Sequence, residues 1–142
     1  MKYLPLSLAL AAMPAAAQIS VEDAWIRATP PGASTAAGYM IIRAESADRL
    51  LSVTSPAAER VQTHITVQEG DVARMREVKG YNVPANGTLQ LKPGGAHLMF
   101  VNIKAPMKEG MSVPATLRFE HLGKFEMDFQ VRPLAAGEHH GH

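Results

Sequence analysis

The sequence predicts an all-β domain, an antiparallel sandwich or barrel of about eight or nine short strands. Three observations carry this. Short runs rich in Val, Ile, Thr, Tyr and Phe recur along the chain, broken by Gly, Pro, Asn and Asp. No stretch keeps the apolar period of an amphipathic helix. The 142 residues contain no cysteine, so the fold has no disulfide staple and must rest on a buried core, for which the length suffices.

The first strand, Ile19 to Arg27, carries the only tryptophan, Trp25. Ala28-Thr29-Pro30-Pro31-Gly32 is a loop, because two prolines cannot donate to a ladder. Ala36 to Ala44 holds Gly38-Tyr39-Met40-Ile41-Ile42, a buried strand, and Glu45 to Asp48 turns the chain into Leu50 to Ser55. Arg60 to Val67 and Val72 to Val78 read as two arms of a hairpin around Gln68-Glu69-Gly70-Asp71. Val83 to Gly87 is loop. Thr88 to Leu91 is a short strand that ends in the turn Lys92-Pro93-Gly94-Gly95. Ala96 to Ile103 is the most apolar strand. Met111 to His121 and Lys124 to Arg132 form a last hairpin around Leu122-Gly123, ended by Pro133.

The ends divide the chain into three. Residues 1–17 read as a cleaved Sec-type secretory signal: Lys2 is the positive start, Leu4 to Met13 the apolar stretch, Ala15-Ala16-Ala17 the cleavage site. The apolar part is too short to span a membrane. No cysteine follows the site, which excludes a lipoprotein. Residues 18–133 are the folded domain, and 134–142 a flexible His-rich tail with His139, His140 and His142. Lys2 is one of 14 basic residues against 13 acidic ones, so the chain beyond the leader is balanced. Nothing in it suggests a nucleic-acid partner or membrane insertion, and a periplasmic monomer is expected.

The chemistry gathers on His64, Met75, His97 and Met99. Ten residues separate the first two, twenty-one the next, and one the last. His97 and Met99 lie two apart in a strand and share a face. If the upstream hairpin turns on Glu69-Gly70, His64 stands directly opposite Met75, and directly opposed side chains are about 5 Å apart at Cβ. A slip of one residue would flip one arm. In this register Val61, Thr63, Ile65 and Val67 face the core. Two imidazoles and two thioethers favour Cu(I), whereas zinc, calcium and magnesium are poorly served by uncharged sulfur. Without cysteine a blue-copper centre is excluded. Taken singly, a strand methionine is core filler and a strand histidine a hydrogen-bonded structural residue. Met40, Met107, Met111 and Met127 are read as packing or loop-edge residues, and His121 as solvated.

At these residues the chain strongly resembles the periplasmic copper chaperones of the PCu(A)C type. The hallmark of that family is His, ten residues, Met, twenty-one residues, then His-x-Met, which His64, Met75, His97 and Met99 fit without adjustment. Asp23-Ala24-Trp25-Ile26-Arg27, Ala37-Gly38-Tyr39-Met40, Leu91-Lys92-Pro93-Gly94-Gly95 and the closing hairpin resemble it too. Ile65 departs from the family, which often has Met there. The resemblance implies a cupredoxin-like sandwich that binds Cu(I) through the four residues. It also implies delivery to the CuA-bearing subunit of cytochrome c oxidase alongside a Sco-type protein, and a second, Cu(II) site at His139, His140 and His142. No nucleophile–base arrangement is present, so the expectation is a carrier and not an enzyme. The alternatives are a periplasmic copper buffer or resistance protein without a dedicated acceptor, and a structural β-sandwich module.

Overall fold

A computed structural model describes residues 18–133. Among the described residues ten strands make one sheet: β1 Ile19–Arg27, β2 Thr35–Ala44, β3 Asp48–Thr54, β4 Ala58–Glu69, β5 Val72–Glu77, β6 Tyr81–Val83, β7 Gly87–Leu91, β8 His97–Ile103, β9 Ser112–Phe119 and β10 Gly123–Arg132. The all-β expectation holds, and the count exceeds eight or nine. The strand missed is β6, three residues inside a stretch that Asn82, Pro84 and Asn86 make look like loop. No helix among the described residues is long and apolar enough to cross a membrane.

The sheet runs β5-β4-β8-β2-β1-β10-β9-β3-β6, and a β3–β4 pair at Val53 and Val61 closes seven of these strands into a barrel. β5, β6 and β7 are outside that ring. The sheet is antiparallel as expected except at one pair, β1 and β10, which run parallel. An odd number of strands cannot alternate direction all the way round a closed ring, so at least one neighbouring pair must be parallel. Here it joins the first strand to the last.

The hairpin register also differs from the expectation. Glu69 pairs with Val72, so the two-residue turn is Gly70-Asp71 and not Glu69-Gly70. Gly70 has φ +60°. A tight hairpin with a left-handed first turn residue takes glycine there, where Glu69 would be strained. Each partner therefore moves by two: His64 stands opposite Glu77, and Met75 opposite Thr66. A shift of two keeps every side chain on its face. His64 and Met75 thus still share a side, diagonally instead of directly.

Inward-facing residues fill the barrel, with Ile26, Met40, Ile42, Leu50, Leu98, Phe100, Leu117 and Phe129 fully buried. Phe100 meets Phe129 edge to face at 5.6 Å. Gly38 makes room for that ring, since a Cβ at this position would come within 2.7 Å of Phe100 Cε1. Met40 and Met107 are buried, and Met111 and Met127 pack against the core, as expected of fillers. The buried Asp48 carboxylate accepts N–H bonds from Arg49, His121 and Leu122, tying the β9–β10 turn to the start of β3.

Candidate metal centre

The register of β4 between its two neighbours assembles the site on the outside of the barrel. β4 pairs His64 with His97 and Gln62 with Met99 on β8, while on its other side Glu77 and Met75 of β5 face His64 and Thr66. Directly paired residues share a face. All four residues singled out from the sequence therefore lie on one side of three adjacent strands. Their exposure is graded. His97 is buried at 6%, His64 and Met99 are half-buried, and Met75 on edge strand β5 is 62% exposed. By register His64 and His97 are direct partners with Met99 two residues along the same face, and Met75 flanks them along a diagonal that a long thioether side chain can reach across.

The two rings fit a shared ion. Their centroids are 5.4 Å apart, with planes at 61°. A metal held at about 2 Å by a ring nitrogen lies about 3 Å from the ring centroid, so two imidazoles on a tetrahedral ion have centroids about 5 Å apart. His97 Nδ1 donates to the Gly95 carbonyl at 3.0 Å. His64 Nε2 is 2.9 Å from Gln62 Oε1, and His64 Nδ1 is buried with no hydrogen-bond partner. An orphaned ring nitrogen beside two sulfur-bearing strands is the donor such an ion requires. Burial and the neighbouring His97 push the His64 pKa below its ordinary value, against an upward pull from Glu77. That favours the neutral imidazole, the form that ligates. Among the described residues no group of three or more His, Cys, Asp and Glu is placed to hold a metal, so a metal centre at this face would depend on the thioethers.

From inside the barrel, Tyr81 supports the pair. Its hydroxyl is 2.5 Å from the His64 carbonyl and 2.8 Å from the His97 carbonyl. Burial pushes its pKa up to about 12, so the group stays a neutral donor. Thr66 Oγ1 donates to the Gly95 carbonyl at 3.1 Å, joining β4 to the turn before β8. On the outer face the site continues along Ala37, Tyr39 and Trp25, which follow from the β8–β2 and β2–β1 pairings. Trp25 and Tyr39 stack at 4.6 Å, with Arg27 over the Tyr39 ring and Arg132 over Trp25.

Gln62, Glu77 and Tyr81 were not anticipated. Gln62 was findable, since Gln-x-His in a strand puts both on one face. Glu77 follows only from the correct turn, and Tyr81 only from the tertiary fold. Ile65 packs toward the core, on the opposite face from His64, as its position in the strand requires. His121 is exposed beside Glu120. The signal peptide expected at 1–17 and the tail histidines His139, His140 and His142 lie outside the described residues.

Fold and face together define a small β-barrel binding domain with a histidine–methionine patch on its wall. The chain belongs to the LpqE-like family, whose model, described as "Putative lipoprotein LpqE-like", matches residues 19–131. Lxx21020 of Leifsonia xyli subsp. xyli (strain CTCB07), a protein named as a lipoprotein, is 36% identical over 102 residues, 71% of this chain. The match spans 61% of that relative's length. Among solved structures, the copper-bound PCuAC domain from PmoF2 superposes with a TM-score of 0.70 at 28% identity, over 81% of this chain and 92% of that one. The solution structure of apo-DR1885 from Deinococcus radiodurans matches with a TM-score of 0.64 at 29% identity, over 94% and 93% of the two chains. Its copper(I) form matches at 0.63 and 26%, over 87% and 83%. The fold is thus that of PCuAC domains, cupredoxin-like as the sequence implied.

Proposed function

We propose that the chain is an exported copper carrier that holds Cu(I) on His64, Met75, His97 and Met99 and passes it on by ligand exchange. The observation that carries this reading is the paired His64 and His97, with Met99 beside them and Met75 on the exposed edge strand. The copper-bound PmoF2 domain and the copper(I) form of DR1885 support it by likeness. A ligand set without charge holds a soft ion while leaving it free to exchange. The exposed Met75 is the first donor an acceptor can displace.

The likeness to a lipoprotein relative fits export, and the leader at residues 1–17 fits the periplasm. On this reading the acceptor is the CuA site of cytochrome c oxidase, with a Sco-type protein as co-worker, and His139, His140 and His142 collect Cu(II). The test is anaerobic Cu(I) competition on the full chain with the three tail histidines changed to Ala, joined to X-ray absorption at the copper edge. One copper with two sulfur and two nitrogen neighbours is expected. Unchanged Cu(I) affinity in a His97→Ala, Met99→Ala variant would return the patch to a structural role. Loss of oxidase activity on deletion, rescued by added copper, would distinguish delivery from buffering.

A further inference from the structure

The two histidines are held by different ring atoms. His97 Nδ1 lies 3.0 Å from the Gly95 carbonyl oxygen. A carbonyl only accepts, so His97 carries its proton on Nδ1, and its free lone pair is on Nε2. At His64 the constraint is reversed. Nε2 lies 2.9 Å from the side-chain oxygen of Gln62, and Nδ1 is the buried atom without a partner. With the proton on Nε2, the Gln62 oxygen is satisfied and the lone pair of Nδ1 is left over. With the proton on Nδ1, a buried N–H would have nothing to donate to, even if the Gln62 amide turned its NH2 toward Nε2.

We propose that Gln62 is a positioning residue that presets His64 to bind copper through Nδ1, while the Gly95 carbonyl presets His97 to bind through Nε2. This rests on the copper reading above. Gln62 suits the task by register. It stands two residues from His64 on the same face of β4 and directly opposite Met99. Its side chain therefore touches one imidazole while its residue stands opposite the nearer thioether. The carbonyl that fixes His97 belongs to the turn that Thr66 Oγ1 also holds. Both rings are thus oriented before copper arrives. One nitrogen of each is occupied by a hydrogen bond and the other is free, which spares the apo protein a tautomer change on loading. The unlike pair also allows two residues set directly opposite one another to aim at one ion from different ring atoms.

The test reads ring-nitrogen protonation by long-range ¹⁵N–¹H NMR at a pH where both imidazoles are neutral, beside anaerobic Cu(I) competition. The apo wild-type chain should show His64 protonated on Nε2 and His97 on Nδ1. Cu(I) should shift His64 Nδ1 and His97 Nε2. In Gln62→Leu, His64 should become a mixture of tautomers, and Cu(I) affinity should fall about tenfold or more, the usual effect of removing a ligand's supporting partner. Gln62→Glu, whose oxygens can only accept, should keep the wild-type pattern and most of the affinity. A His64 proton on Nδ1 in the apo wild type would overturn the proposal. So would a Gln62→Leu chain that keeps both the pattern and the affinity, or a Gln62→Glu chain that inverts the tautomer. A wild-type chain with the expected apo pattern and no Cu(I) binding would instead overturn the copper reading, leaving Gln62 as the group that fixes the ring.

Discussion

His64 and His97 are direct partners across the antiparallel β4–β8 ladder, their ring centroids 5.4 Å apart. Both side chains leave regular strand backbone, so their separation is a property of the barrel wall and not of a loop. The methionines differ in this respect. Met99 follows His97 on the inner strand β8, whereas Met75 rides on β5, whose six residues are all exposed.

That difference separates two substitutions. Met75→Ala and Met99→Ala should each weaken Cu(I) by more than the about 10–100-fold typical of losing a ligand's hydrogen-bond partner. Stability should split them. Met75→Ala should stay within about 0.5 kcal/mol of wild type, as exposed substitutions do. Met99→Ala should cost about 1–2 kcal/mol, below the range for fully buried methionine. Cu(I) competition and urea unfolding of both variants check this. Equal stability losses would mean that β5 packs more tightly than its exposure shows.

Much of this arrangement was legible in the sequence, for identifiable reasons. The pleat alone places His97 and Met99 on one face, and it holds whatever the neighbours do. The inward face of Val61, Thr63, Ile65 and Val67 survived the shifted hairpin turn because the shift was two residues and faces repeat every two, although Val67, near the end of β4, is only half-buried. What was not legible depended on long-range pairing. That His64 faces His97 requires β4 to lie beside β8, and nothing local to either strand states it. The ring closure between Val53 and Val61, which forces one parallel pair, is equally non-local. Tyr81 was hidden because its strand is three residues long, and its role depends on reaching two carbonyls at once.

Acid should weaken copper binding only below the ordinary histidine range at His64. Burial, then His97, lowers the His64 pKa from 6.5, and Glu77 opposes them. Protons compete with copper at this ring only once pH falls through the lowered value. Glu77→Gln removes the group that stabilises the imidazolium, so the His64 pKa should fall further and copper should be retained to lower pH. Titrating Cu(I) affinity between pH 8 and 5 in both proteins measures the shift. Movement of the Glu77→Gln profile toward higher pH would contradict the sign.

Asp48 should matter for folding and not for copper. Burial raises its carboxyl pKa, but N–H bonds from His121, Arg49 and Leu122 outweigh this and hold it below its ordinary 3.8. A carboxylate whose pKa is lowered on folding stabilises the native state above the unfolded pKa and loses that contribution as pH falls through the folded value. Thermal stability should therefore drop in acid below about pH 4. Asp48→Ala should flatten that acid limb and cost about 2–3 kcal/mol at neutral pH, since buried N–H groups lose a charged acceptor. Melting curves across pH, with Cu(I) affinity unchanged at pH 7, are the expected result.

Tyr81→Phe tests whether the two histidines act as one unit. The hydroxyl lies between the His64 and His97 carbonyls and is neutral up to about pH 12, so it is available as a donor throughout the working range. Phenylalanine keeps the ring in the core and removes only this link. A neutral hydrogen bond of this kind contributes about 1 kcal/mol net, and leaving buried acceptors without it costs about 1–3 kcal/mol. Stability should fall by an amount in that range. Copper binding should fall as well, because β4 and β8 carry one imidazole each and Tyr81 bridges them at the level of those residues. A variant less stable but with full Cu(I) affinity would show that the β4–β8 ladder alone spaces the rings. Loss of affinity beyond the loss of stability would assign the spacing to the hydroxyl.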